Sequence, residues 1–258
     1  MRIITLLIFL SFINTCVSQV PDLTNWKLDS LPNFTTREYD PHLSYVNWKF
    51  TKSGDKWEII KNTFNYDLGD SLPSNIKYIE TNKMADNGER LYRFVKKIPG
   101  GYFVGLQTFG GLYFINANGL TGYKIDNSLN IYQIFEYNGR YFALEGYPQR
   151  NYTPKGQLLE IFKNNNVWKS KTVISMEEAP ELVADYKNEK IIITSKSVLR
   201  FGKDIKPKVI LQAPFFWGIG APYSTLINNN DLYIAMANAV LKIKSFDSKP
   251  VYEWYVPK

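Results

Sequence analysis

The chain of 258 residues holds one cysteine, Cys16, and one histidine, His42. A single residue of each type excludes an internal disulfide framework, a His/Cys zinc site and a His-rich metal centre. No second apolar run follows the N-terminal one, and that one is shorter than the roughly 20 residues a membrane-spanning helix needs. The G-x-S-x-G nucleophile motif, the G-x-x-x-x-G-K-[ST] phosphate loop and the D-x-[DN]-x-[DN]-G calcium loop do not occur. Arginine is scarce, with seven among 31 basic residues. Aromatic residues are plentiful at 16%, beside 45% hydrophobic residues overall, which marks a chain able to build a packed core. The missing motifs leave any reaction unnamed and turn attention to export, architecture and surface.

Met1 and Arg2 supply a short positive start, and residues 3–13 (IITLLIFLSFI) form an uncharged apolar run. This arrangement fits the hydrophobic region of a secretory signal. Cys16, Val17 and Ser18 place small residues where cleavage after Ser18 requires them. Residues 13–16 (INTC) offer a second exit, because they resemble a bacterial lipobox, with Thr15 in place of the usual small residue. Cys16 is then the lipidation candidate; retention as an uncleaved anchor is the third outcome. Cleavage after Ser18 starts the mature chain at Gln19 and leaves it without cysteine, so its stability rests on its core instead of on disulfides. High Lys and Asn with low Arg is a coding bias of AT-rich genomes, and it directs the reading to a bacterial envelope protein. The two N-x-[ST] matches, at Asn33 and Asn151, are expected by chance in an Asn-rich chain.

Residues 1–18 are therefore assigned to the signal, 19–44 to an extended Pro-bearing arm and 45–258 to one repeat domain. Helical signals are scarce. Short runs of Val, Ile, Tyr and Phe recur between Gly, Asn, Asp and Pro, which is strand-and-turn punctuation. YFVG at 102–105, YFAL at 141–144, IIIT at 191–194 and LYIA at 232–235 each follow a turn and start 39, 50 and 41 residues apart. A second strand follows each run (LYFI at 112, LLEIF at 158, VLRF at 198, VLKI at 240), then a third (YKI at 123, VWK at 167, KVIL at 208, VYEW at 251). A degenerate unit covers 45–50 and 56–60, with further strands at 76–79 and 91–95. The 50-residue step carries an insertion at 145–156, expected to be an exposed loop.

A period of 40 to 45 residues with three or four strands resembles a β-propeller blade. The resemblance runs from about Tyr45 to Pro257 and is one of strand order and spacing, since the Gly-His and Trp-Asp signatures of WD40 repeats are absent. It implies an all-β fold of about five blades of three to four strands, with the N-terminal arm pairing with the C-terminal strand to close the ring. A β-sandwich is the alternative.

Several clusters bear on possible chemistry. His42 after Asp40 and Pro41 reads as a surface histidine. Glu177, Glu178 and Glu181 form the densest carboxylate group and are expected on a loop facing water. Asp55, Asp67, Asp70, Asp126 and Asp231 never assemble a calcium loop, and the Asn runs 164–166 and 228–230 read as tight turns. Gly100–Gly101 and Gly110–Gly111 read as turn glycines. The formal charge of +7, lowered by one when Arg2 leaves with the signal, is spread over dispersed lysines and suits an acidic partner or solubility better than nucleic acid.

Two aromatic segments remain. Residues 213–223 carry Phe215, Phe216, Trp217 and Tyr223 without a charge, and the insertion carries Tyr147, Arg150 and Tyr152. Such side chains dominate protein-binding hot spots. These seven residues are the protein-binding candidates; no catalytic residue, metal or cofactor is assigned. The expected function is an exported, non-catalytic protein-binding protein, periplasmic or secreted, or lipid-anchored at the outer membrane. In size, export signal and lack of motifs it resembles periplasmic immunity proteins that plug the active site of a toxin enzyme. The alternative is a carbohydrate-active enzyme or sugar binder of the envelope.

Overall fold

The computed structural model describes residues 20–32, 46–62, 69–70, 92–106, 110–127, 130–146, 155–213 and 222–258. Among the described residues the chain is all-β, with nineteen strands and no helix. The strands form one two-stranded, three four-stranded and one five-stranded antiparallel sheet.

β2 (Trp48–Ser53) and β3 (Lys56–Lys61) form a hairpin. β4 (Tyr92–Ile98), β5 (Gly101–Leu106), β6 (Leu112–Asn116) and β7 (Gly122–Asp126) form the second sheet in simple meander order. The third consists of β8 (Ile131–Tyr137), β9 (Arg140–Gly146), β10 (Gly156–Asn164) and β11 (Val167–Met176). The fourth consists of β12 (Pro180–Tyr186), β13 (Glu189–Thr194), β14 (Ser197–Phe201) and β15 (Lys208–Gln212). The fifth consists of β16 (Ser224–Asn228), β17 (Asp231–Ala235), β18 (Val240–Lys244) and β19 (Val251–Pro257), and β1 (Trp26–Asp29) is added beyond β19. The N-terminal arm is thus a strand in part: Trp26 pairs with Pro257 and Asp29 with Trp254.

The recurring apolar runs are β5, β9, β13 and β17, the second strand of each four-strand meander. They are buried on both faces, which is why they read as continuous apolar stretches instead of alternating ones. The strand preceding each was not expected for the last three sheets. β12 begins at a proline and β16 holds only two apolar residues, Leu226 and Ile227, so neither stands out as an apolar run. Between β8 and β9 the chain turns on Asn138 and Gly139, both at positive φ, a two-residue hairpin that hides one long apolar stretch as two strands. The Asn runs form turns as expected, with Asn165, Asn166 and Asn229 at positive φ.

Neighbouring sheets pack face to face. Phe103, Leu112 and Phe114 of the second sheet meet Ile131, Ile134 and Leu159 of the third. Phe135, Phe142 and Leu158 of the third meet Ile192, Leu199 and Phe201 of the fourth. Ile191, Ile193 and Val198 of the fourth meet Leu232, Ile234 and Leu241 of the fifth. Trp26 and Phe50 close over Tyr233, Ala235 and Val240 of the fifth, bringing in the β2–β3 hairpin. Rings are the main filler: Phe142 lies 5.1 Å from Phe201 and Phe103 4.9 Å from Trp168, both edge-on. Each such pair adds about 0.5–1.5 kcal/mol beyond the area it buries.

Glycine permits the close approach of these layers. A Cβ at Gly105 would overlap the Cβ and Cγ2 of Ile131 across the second and third sheets; within the third sheet, one at Gly146 would overlap the Tyr132 ring.

Candidate functional site

Antiparallel meanders send alternate connections to opposite ends of a sheet, and contacts between sheets bring like ends together. Gly105, at the end of β5, abuts Ile131 at the start of β8, and Gly156, at the start of β10, abuts Pro180 at the start of β12. At the other end the Tyr137 hydroxyl donates to the Asn188 carbonyl, 3.2 Å away, from the β8–β9 turn to the β12–β13 turn. Tyr186 reaches the β16–β17 and β18–β19 turns in the same way. The fold therefore has a long-loop end and a short-turn end.

The β9–β10 and β15–β16 connections both leave from the long-loop end, because β9 and β15 finish there and β10 and β16 start there. These two connections carry the protein-binding candidates. Tyr147, Arg150, Tyr152, Phe215, Phe216 and Trp217 lie outside the described residues, as do Cys16, His42 and the strand expected at 76–79. Tyr223 is described: it is half-buried just before β16, and its amide donates to the Ala235 carbonyl at 3.0 Å. The topology thus brings the two aromatic connections to one end.

The same end carries buried polar residues. Asn130, Glu145, Glu181, Thr194, Ser195 and Ser197 are buried, and all stand at the long-loop ends of strands or in the connections there. This corrects two sequence expectations. Glu145 and Gly156, read as the edges of an exposed loop, are buried strand residues, so the connection between β9 and β10 is shorter than the insertion at 145–156. Glu181, read as facing water, belongs to β12 and is 3% exposed, whereas Glu177 does face water. Strand pairing places Glu145 against Gln157, whose amide donates to its carboxylate, and Thr172 donates in turn to Gln157 at 2.9 Å. Glu178 is half-buried and receives the hydroxyls of Thr194 and Ser197, the latter at 2.9 Å. These hydrogen bonds hold the carboxylates in fixed positions as acceptors. Among the described residues no group of three His, Cys, Asp or Glu side chains is arranged to hold a metal ion.

The short-turn end carries a second constellation. Tyr186 donates to Asp247 Oδ2 at 2.5 Å, with Asn230 Oδ1 2.8 Å from the same hydroxyl. Lys187 and Arg200 approach the Asp247 carboxylate at 3.5 and 3.8 Å. The Tyr186 hydrogen bond holds the Asp247 carboxyl below its usual range against the opposing effect of burial, and Lys187 adds to it. Burial and the same carboxylate push the Tyr186 phenol up. A polar cleft of about 730 Å³ opens beside this knot, lined by Lys187, Asn229, Asn230, Asp231, Lys242 and Val20 among others. Burial opposes the charge on Lys242, but Tyr233 and Asp231 outweigh it and raise its pKa. Sequence reading missed this constellation, since its members come from three separate turns and no spacing links them.

No protein-family model matches the chain, and no curated protein matches it.

Proposed function

We propose that the chain is an exported, non-catalytic protein-binding protein whose long-loop end recognises another protein. The sheets are read as the blades of a five-bladed, propeller-like ring, with β1 joining the two chain ends in the last blade. The specific form proposed is an immunity protein of the bacterial envelope, periplasmic or lipid-anchored, whose long-loop end occupies the cleft of a toxin enzyme. One observation carries the reading: the two aromatic, Pro-bearing connections leave from the same end of the fold. Recognition loops grouped on a rigid β-scaffold suit this work. Copurification from the envelope fraction tests it. One tight partner is expected with the native chain and is lost with Trp217→Ala or Tyr147→Ala; recovery of the same partner by both variants refutes the assignment.

A second reading, a carbohydrate-active enzyme or sugar binder, rests on the buried carboxylates Glu145 and Glu181 at the same end of the fold. Hydrolysis or retention of envelope glycans that disappears in Glu145→Gln and Glu181→Gln would favour it over protein recognition.

A further inference from the structure

We propose that the short-turn end is a docking face for an anionic phospholipid surface, which holds the long-loop end away from the membrane. The sheets contribute exposed lysines to this end one after another. Lys52 and Lys97 precede the β2–β3 and β4–β5 turns, and Lys163 precedes the β10–β11 turn. Lys187, Lys203 and Lys249 lie in the β12–β13, β14–β15 and β18–β19 connections. Because like ends of neighbouring sheets meet, lysines that are dispersed in sequence gather at one end in space.

The acidic groups nearby offset them only in part: Asp55, Asp70 and Glu136 are exposed at this end, and the others are already engaged. Asp185 is held by Lys190, Asp204 by Lys208, and Asp231 by Lys242. Asp247 is engaged with Tyr186, Lys187 and Arg200. Lys52, Lys203 and Lys249 make no ion pair among the described residues. The opposite end lacks this excess, with Glu145, Glu177, Glu178 and Glu181 against Lys61, Lys155, Lys196 and Lys258. Charge is therefore polarised along the strand direction, although the sequence alone shows only a diffuse positive excess.

The path of the chain picks out a bilayer as the anionic partner. Val20 lines the cleft beside Lys187, Asn229 and Asn230, so the N-terminal segment joins the fold at the basic end. In sequence that segment carries Arg2, the apolar run 3–13 and Cys16. A retained run or a lipid on Cys16 would tether the protein by the face that bears the lysines. When the segment is removed, the lysines provide the contact alone. One lysine near an anionic headgroup layer changes partition by roughly fivefold. Three lysines in concert then change it by about a hundredfold, and the effect falls as salt shortens the screening length.

This inference shares with the protein-binding reading only the exported N-terminus, and its test is read independently of any partner. The full chain is expressed with its own N-terminus, and the form that accumulates is mixed with vesicles of phosphatidylcholine, with or without phosphatidylglycerol. Sedimentation is compared for the native protein, the triple variant Lys52→Gln/Lys203→Gln/Lys249→Gln, and the control Lys61→Gln/Lys155→Gln/Lys196→Gln at the long-loop end. Circular dichroism confirms that all three are folded. The expected result is binding that requires phosphatidylglycerol, weakens with salt, drops about a hundredfold in the first triple variant and persists in the control. Equal binding by the two triple variants, or, when the form that accumulates carries neither the apolar run nor a lipid by mass spectrometry, binding indifferent to phosphatidylglycerol, overturns the proposal. So does an absence of vesicle binding, the result expected if the lysines serve a soluble acidic protein.

Discussion

The hydrogen bond between Tyr186 and Asp247 ties the fourth sheet to the fifth, and its removal gives a measurable consequence. Tyr186 is 4% exposed, and its hydroxyl meets a carboxylate already flanked by Lys187 and Arg200. A hydrogen bond to a charged, partly buried acceptor contributes about 1.5–3 kcal/mol. Tyr186→Phe deletes the donor and leaves the ring packed 4.9 Å from Phe246, so the change isolates the hydroxyl. A loss of about 2 kcal/mol in urea unfolding is expected, without a change in m-value, together with a fall in Tm of about 4–8 °C. Asp247→Ala should cost a similar amount. The double variant should cost less than the sum, with a coupling of about 1–2 kcal/mol. Because the folded carboxyl is held below its unfolded value, its contribution is present above the unfolded pKa near 4 and is lost as pH falls through the lower folded value. The gap between native protein and Asp247→Ala should therefore close in acid. A coupling below about 0.5 kcal/mol, or a gap independent of pH, would refute the clasp.

Two further substitutions test the packing. Trp26→Ala should destabilise by about 3–5 kcal/mol in denaturant unfolding, since Trp26 is 8% exposed and stacks edge-on against Trp48 at 4.9 Å, pinning β1 over the hairpin. A loss below about 1 kcal/mol would show that the N-terminal strand is dispensable. Gly105→Val should cost at least about 1–3 kcal/mol, because its side chain must displace Ile131 at the contact between the second and third sheets; an unchanged unfolding midpoint would count against that close approach.

The second and third strands of each sheet were legible in the sequence because burial on both faces leaves them as apolar runs closed by turns. The Asn turns were legible for a local reason, positive φ at positions such as Asn165 and Asn229. β12 and β16 were not, since strands carrying Pro180, Asp185 or Asn228 owe their place to pairing with β13 and β17 rather than to their own propensity. The burial of Glu145 and Glu181 was also invisible. Glu145 is stabilised by Gln157 across the ladder, a partner assigned by strand register rather than by sequence distance alone. The lysines had looked diffuse because each comes from a different turn. Their common end exists only once like ends of adjacent sheets are packed together. The grouping of the two aromatic connections at one end is likewise a product of strand direction, which composition cannot reveal.

Photocrosslinking in the producing cell asks most directly whether the long-loop end is the recognition face. A photoreactive amino acid is placed at Tyr223, beside the aromatic connection, and in a second chain at Lys203 at the short-turn end. The protein-binding account predicts one discrete protein adduct from position 223, lost when Trp217→Ala is added, and no such adduct from position 203. The same adduct from position 203, or none from position 223 while a partner still copurifies, would contradict it.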